Sequence, residues 1–246
     1  MITVPSYECE QGLNLFFVHI PKAGGTSFHF PLGYLFFNHY SENKNYECYY
    51  AKEGNFNYEF KGAKNSLIRT HRMDWEEHYK PEMGIKVAFY RNPEERLKSS
   101  IRHCRQFIEY QEFRRLISNP PLYQRSHIVN PISQVTKSGK LDYLLDISLM
   151  RELQSTVLSR FGFPNIELPE KLQMTDHIRE GEMDILFSLC ERSGYLEEDE
   201  KVDGVLKELP ECLKVEKTKI REETMVFDLN TNRGPLENSD KVPYFK

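Results

Sequence analysis

Several residue patterns that define common protein classes are scarce in this sequence. Its five cysteines are scattered without a Cys-x-x-Cys pair, which argues against a disulfide scaffold and a cysteine zinc site. His, Cys and Asp residues form no cluster with metal-ligand spacing, so we predict no metal. No apolar run approaches the ~18 residues of a membrane span, and the N-terminal MITVPSYECEQG lacks the regions of a secretory signal. These absences predict a cytoplasmic protein without a membrane partner.

The charge of the chain is small in sum but uneven in distribution. The formal net charge is −4, yet residues 86–125 carry nine Lys/Arg against four Glu. Such a basic segment attracts phosphorylated or sulfated ligands, although a solvated helix face would have the same composition. Nucleic acid is disfavoured as a partner, because aromatic residues do not alternate with these charges and the whole chain is acidic.

Short apolar runs alternate with helical patterns along the chain. The predicted strands are Leu15–Ile20, Ser66–Thr70, Lys86–Tyr90 and Asp142–Asp146, and the predicted helices are Pro93–Arg105, Leu149–Phe161 and Met183–Ser193. This alternation is typical of a three-layer α/β fold, in which helices flank a central, mostly parallel sheet. We expect a single domain over residues 1–246, with a core at about 13–200 and an acidic C-terminal appendage at 200–246. Residues 34–64 indicate loops, short elements and a candidate lid.

The stretch LNLFFVHIPKAGGTSF, residues 13–28, runs from a buried strand into a lysine, two glycines and two hydroxyls. A strand, a glycine turn and a helix start form an anion site, because backbone N–H groups converge there and the helix dipole adds positive potential. The lysine supplies charge and the glycines let the backbone approach an oxygen. The alternative is an ordinary turn with a surface lysine. The candidate binding residues are Lys22, Ala23, Gly24, Gly25, Thr26 and Ser27.

The loop differs from the Walker A motif of nucleoside triphosphatases. That motif places its lysine after the last glycine and follows it with a hydroxyl for Mg²⁺, whereas Lys22 precedes both glycines. No apolar strand ending in Asp matches a Walker B segment. A P-loop-like nucleotide kinase or phosphotransferase with a degenerate loop is the second interpretation, and the position of Lys22 argues against it.

Two motifs resemble those of sulfotransferases that use 3′-phosphoadenylyl sulfate (PAPS), in particular the carbohydrate branch. FVHIPKAGGTSF is similar to the family's 5′-phosphosulfate loop, and VAFYRNPEERLKSS is similar to its 3′-phosphate segment, R-x-P-x-x-R-h-x-S. The resemblance implies a P-loop-NTPase-like fold and a 3′-phosphate held by Arg91 and Ser99. Arginine suits this role as a forked donor. Asn92 as N-cap, Pro93 at the first helical position and Glu95 three residues after the cap predict a helix start with a capping box beside Arg91, and Arg96 is expected to be structural.

Sulfuryl transfer needs in-line geometry, a base for the attacking hydroxyl and stabilisation of the leaving oxygen. Lys22 is the candidate to neutralise that oxygen as 3′,5′-ADP (PAP) leaves. His71 is the candidate base, because its ordinary pKa lies near operating pH. It opens HRMDWEEH, which resembles the His-x-Asp-Trp loop of heparan sulfate 6-O-sulfotransferases with one extra residue. The alternatives are a structural His71, or a base at His19, His29 or His103; we expect the first two in structural roles and the third at the surface.

Other segments depart from the family pattern. Asp146 is the nearest match to a glutamate that often follows the fourth strand, and LPEKLQMTDH has Gln173 and Thr175 where Asn and Ser are usual. Trp75 could line a sugar or adenine, but we expect core packing. The resemblance thus implies a metal-free sulfotransferase that acts on a hydroxyl of a carbohydrate. A PAP-binding module without catalytic activity is the non-enzyme alternative. The acceptor's identity and the oligomeric state are not predicted.

Overall fold

A parallel sheet dominates the structure. The computed structural model describes residues 12–29, 32, 47–49, 58–61, 65–161, 166–167, 178–179, 181–214 and 225–226. Its strands in chain order are β1 Asn14–Val18, β2 Glu47–Tyr49, β3 Tyr58–Lys61, β4 Ser66–Thr70, β5 Ile85–Tyr90, β6 Tyr143–Asp146, β7 Ile166–Glu167, β8 Val205–Leu206 and β9 Met225–Val226. Seven of them form one sheet in the order β2-β3-β4-β1-β5-β6-β8. From β4 to β8 all neighbours are parallel, while β2 and β3 add an antiparallel edge.

The helices between the strands match the predicted alternation. They are α1 (residues 25–29), α2 Pro93–Arg105, α3 Tyr110–Leu116, α4 Leu122–Ile128, α5 Pro131–Thr136, α6 Met150–Arg160 and α7 Glu182–Arg192. The predicted α/β fold with a mostly parallel sheet is confirmed. Its likeness to the P-loop NTPases stays a prediction. None of the helices in the described ranges has the length and apolarity needed to cross a bilayer.

Strand β1 lies at the centre of the sheet because it is apolar on both faces. Four of its five residues are buried, as expected for a strand covered on both sides. Leu15 pairs in register with Leu67 of β4 and with Ile85 of β5. Trp75 joins this core, since it is buried and its ring centroid lies 6.0 Å from that of Phe16. The expectation that Trp75 packs in the core is therefore confirmed.

The strand order creates a crevice at the end of the sheet where the parallel strands have their carboxyl ends. From β1 the chain passes to β4 on one side, and from β5 it passes to β6 on the other side. Neighbouring parallel strands whose connections diverge in this way leave a crevice outside their carboxyl ends, where α/β proteins bind ligands. Residues that follow β1 and β5 are thus placed at this crevice.

Some of the sheet lies where the sequence gives little signal. β2 and β3 fall within residues 34–64, and the rest of the candidate lid lies outside the described residues. β8 pairs with β6, and Leu209 and Leu213 beyond it belong to the core. Residues 205–213 of the acidic C-terminal segment therefore complete the sheet and its packing.

Candidate functional site

The segment after β1 makes a tight turn with Lys22 in an unusual conformation. The N–H of Ala23 donates to the carbonyl oxygen of Ile20 at 3.2 Å, with Pro21 in the second position of the turn. Lys22 occupies the third position with a φ of +64°, the place where a type II turn normally needs glycine. A side chain in this left-handed region costs roughly 1–2 kcal/mol. Such strain concentrates at functional sites.

The Lys22 side chain is half-buried beside other basic groups. Burial lowers the pKa of its ammonium, and the neighbouring Arg91 lowers that pKa further, while Cys104 acts in the opposite direction. A cation whose charged form is disfavoured in this way is stabilised when an anion approaches. The electrostatics of Lys22 therefore favour an anionic ligand.

Arg91 follows β5 and reaches the turn of β1. Its Nη1 donates to the carbonyl oxygen of Lys22 at 3.4 Å, and its Nε lies 3.4 Å from Oε2 of Glu95. Arg91 is half-buried and Glu95 is exposed, so their ion pair is of the weak surface kind. The structure thus brings the two predicted cations, Lys22 and Arg91, to the same crevice.

Helix α2 begins at Pro93, two residues after Arg91, as predicted. The side chain of Asn92 accepts a hydrogen bond from the N–H of Glu95 at 3.2 Å, and Pro93 takes the first helical position. The carboxylate of Glu95 contacts Arg91. The N-cap is confirmed. In a capping box the Glu95 carboxylate would accept a hydrogen bond from the backbone N–H of Asn92, whereas here it contacts Arg91. Ser99 lies further along α2 and is half-buried.

The two glycines of the loop have structural reasons within the protein, which are close packing at Gly25 and a positive φ at Gly24. A Cβ at Gly25 would lie 2.1 Å from Cδ2 of His19, and one at Gly24 would lie 2.8 Å from Cδ1 of Ile147. Gly24 also has a φ of +82°, which disfavours other residues. Both glycines therefore have a structural reason that the sequence argument, based on the approach of a ligand oxygen, did not include.

Helix α6 fixes the start of α1 from the other side. Buried Gln154 donates through Nε2 to the carbonyl oxygens of Ser27 at 2.8 Å and Phe28 at 2.9 Å. Asp146, at the carboxyl end of β6, accepts from the N–H and Oγ of Ser148. Asp146 thus caps the turn that leads into α6. Gln154 supports the loop although no local sequence signal marks it.

The other predicted loop residues differ in exposure. Ala23 is buried in the core, Ser27 is half-buried and Thr26 is exposed. Arg96 is fully buried, with Nη1 donating to the carbonyl oxygen of His127 at 2.7 Å and Nε 3.4 Å from Oδ2 of Asp199. The structural role expected for Arg96 is confirmed. Gln173 and Thr175 lie outside the described residues.

Three histidines and an arginine meet where β1 and β4 end. We call His19, His29 and His71 the histidine cluster. The ring centroid of His19 lies 3.9 Å from that of His71 and 5.5 Å from that of His29. Burial lowers the pKa of all three well below the ordinary value, and Arg69 lowers each further. The cluster is therefore neutral at physiological pH.

The Nε2 atom of His71, the candidate base, is buried and finds no hydrogen-bond partner within the described ranges. His103 on α2 is half-buried, contrary to the expected surface position, and its ring lies 5.2 Å from that of His127 in a stacked arrangement. Burial and the nearby Lys22 lower the pKa of His103 to about 4. The candidate base His71 is thus a neutral imidazole directly after the carboxyl end of β4.

Two further features bear on ligands. An open cleft of about 520 Å³ is lined in part by Leu141, Asp142 and Gly204. These residues precede β6 and β8, so the cleft lies at the amino ends of the parallel strands, opposite the crevice.

One trio in the described chain, Asp74, Glu77 and His78, brings its ligand atoms within 4.8 Å of one another. Asp74 already pairs with Arg72 at 2.6 Å, so the trio does not resemble a prepared metal centre.

Comparisons with protein-family models, with curated proteins and with solved structures gave no match for this chain.

Proposed function

We propose that this protein is a PAPS-dependent sulfotransferase that transfers a sulfuryl group to a hydroxyl, with a glycan as the acceptor class. The observation that carries the proposal is the 3.4 Å contact between Arg91 and the carbonyl oxygen of Lys22. Two cations from separate motifs thereby meet outside the carboxyl ends of neighbouring parallel strands. A nucleotide with phosphate groups at both its 5′ and 3′ positions matches two such cations.

Each cation has a distinct part in the proposed complex. The loop of residues 21–27 holds the 5′-phosphosulfate, with Lys22 facing the bridging oxygen on which charge builds. Arg91, between β5 and α2, and Ser99, on α2, hold the 3′-phosphate. Arg91 has its donors near Lys22 and Glu95, so binding exchanges an exposed carboxylate for a phosphate. A forked guanidinium favours that exchange because phosphate accepts two parallel hydrogen bonds.

His71 is the proposed base. Its lowered pKa keeps it neutral at pH 7, and only a neutral imidazole can accept a proton. The bond between sulfur and the bridging oxygen breaks, a bond between sulfur and the acceptor oxygen forms, and the hydroxyl proton passes to His71. PAP leaves with the bridging oxygen, whose charge Lys22 neutralises. Catalysis in the cytoplasm without a metal is part of this proposal.

Binding and turnover measurements test it together. PAP without metal should raise the melting temperature, whereas ATP with Mg²⁺ should not. PAPS with a panel of glycans should yield PAP. A chain stabilised only by ATP with Mg²⁺ would instead be a phosphotransferase, and one that binds PAP without turnover would be a binding module.

The role of His71 has a matched control in the same stretch of sequence. His71→Ala should lower turnover by ~10²–10⁴-fold and leave PAP affinity near that of the wild type. His78→Ala changes a half-buried histidine seven residues further on and should leave turnover unchanged. Wild-type turnover in His71→Ala would exclude His71 as the base.

A further inference from the structure

Arg69 and His19 form a buried contact behind the loop. His19 follows β1, Arg69 lies on β4, and each side chain is less than a tenth exposed. Arg69 Nε lies 3.2 Å from Nδ1 of His19, and Arg69 Nη2 lies 2.5 Å from the same nitrogen. The guanidinium therefore directs two of its N–H groups at one ring nitrogen.

This contact determines which nitrogen of His19 carries the proton. A guanidinium has donors and no acceptor, so Nδ1 of His19 has to present its lone pair. A neutral imidazole then carries its hydrogen on Nε2. A second proton on Nδ1 would place an N–H against the N–H groups of Arg69. His19 is thus held as a neutral donor through Nε2.

The surroundings of His19 oppose its protonation from every side. The charged and titratable groups that act on it are Arg69 and His71 at the end of β4, His29 on α1 and His127 on α4. All of them are basic, and no carboxylate of the described chain acts on His19. Burial adds to the effect by lowering the pKa of His19.

The Nε2 edge of His19 lies against the loop. A Cβ built at Gly25 would be 2.3 Å from Nε2, so this edge of the ring covers the backbone where α1 begins. Both hydrogen bonds that the described structure gives the His19 side chain are made at Nδ1. The remaining donor is therefore placed at the floor of the loop formed by residues 21–27.

We propose that Arg69 is a positioning residue that fixes His19 in the Nε2–H tautomer, and that this N–H donates to an oxyanion held by the loop. In the proposed sulfotransferase the oxyanion is the 5′-phosphosulfate of PAPS, so the identity of the ligand rests on the proposed function. The assignment also separates the roles of the two histidines. His19 has no lone pair left on Nε2 and cannot act as the base, which agrees with the proposed role of His71.

The tautomer is measured directly by NMR on ¹⁵N-histidine-labelled protein. Two-bond ¹H–¹⁵N correlations of His19 should show Nε2–H and a neutral ring from about pH 8 down to about pH 5.5, where an ordinary histidine is protonated. Arg69→Lys keeps a donor and should preserve this signature. Arg69→Met removes it and should give a mixture of tautomers. An Nδ1–H or doubly protonated His19 in the wild type would overturn the assignment.

Binding tests the donor itself, with inorganic sulfate and PAP as separate probes. His19→Gln retains an N–H near Nε2 and should bind both anions within about threefold of the wild type, whereas His19→Leu should bind about 10- to 100-fold more weakly. Equal affinity of His19→Leu and the wild type for both probes would overturn the proposal. A wild type that binds sulfate but not PAP would refute the proposed function, and sulfate would then decide the role of His19. Binding of neither anion would refute both.

Discussion

Replacing Lys22 with glycine should stabilise the protein while weakening its binding of anions. The φ of +64° at Lys22 costs a residue with a Cβ roughly 1–2 kcal/mol, and glycine removes that cost. Glycine also gives the unfolded chain more freedom, which offsets ~0.5–1 kcal/mol of the gain. The variant no longer desolvates a half-buried ammonium, which adds to its stability. We therefore expect a net gain of about 1 kcal/mol, or ~2–4 °C in Tm for a chain of this size.

Lys22→Ala is the matched variant, because it removes the same charge and keeps the Cβ. Urea unfolding should place Lys22→Gly about 1 kcal/mol above Lys22→Ala, and the difference isolates the backbone from the charge. Both variants should bind PAP weakly. Equal stabilities would refute the idea that the turn is strained, and PAP affinity at the wild-type level would refute the role of the ammonium.

Three further predictions concern the histidine cluster, the loop and Arg91. The lowered pKa of each cluster histidine means that the unfolded chain takes up protons first. The free energy of unfolding should therefore have its full value above the unfolded-state histidine pKa of about 6.5, and below that pH it should fall by up to ~1.4 kcal/mol per pH unit for each histidine. A flat urea-unfolding profile between about pH 7.5 and 5.5 would contradict this. Gly25→Ala should cost ~1–3 kcal/mol through overpacking, and His19→Ala in the same chain should recover part of that loss in thermal melts; no recovery would place the clash elsewhere. Glu95→Gln should strengthen PAP binding to Arg91 by ~2–5-fold by removing a weak surface ion pair, while Glu94→Gln, on the same helix, should have a smaller effect; equal calorimetric effects would point to a general charge change.

The fold could be predicted where local chemistry and burial agree. The apolar run of β1 predicts a buried strand, and Asn92 with Pro93 predicts the start of α2 to the residue. β2 and β3 gave no such signal, because short edge strands in a segment rich in Tyr and Asn lack a clear alternation. β8 is only two residues long, and its place in the sheet depends on pairing with β6.

The site could be predicted in part for the same reason. Lys22 and Arg91 each follow the carboxyl end of a parallel strand, so their meeting at one end of the sheet follows from the pairing of β1 with β5. The reason for Gly25 could not be predicted, because it depends on the ring of His19 lying over it. That ring is in turn held by Arg69, 50 positions further along the chain. Long-range packing of this kind leaves no local pattern.

A matched set of ligands tests most directly whether Lys22 binds the 5′ group and Arg91 the 3′-phosphate of one nucleotide. Isothermal titration would compare PAP with 5′-AMP, which lacks only the 3′-phosphate, against the wild type, Lys22→Ala and Arg91→Ala. Lys201→Ala controls for net charge, because Lys201 is an exposed cation in the cleft at the amino ends of the parallel strands.

We expect Arg91→Ala to weaken PAP binding by about 10- to 100-fold and to leave 5′-AMP binding unchanged, because only the 3′-phosphate loses its charge-assisted hydrogen bonds. Lys22→Ala should weaken both ligands alike. If Arg91→Ala weakened PAP and 5′-AMP equally, or weakened neither, the two cations would not share a bisphosphorylated nucleotide.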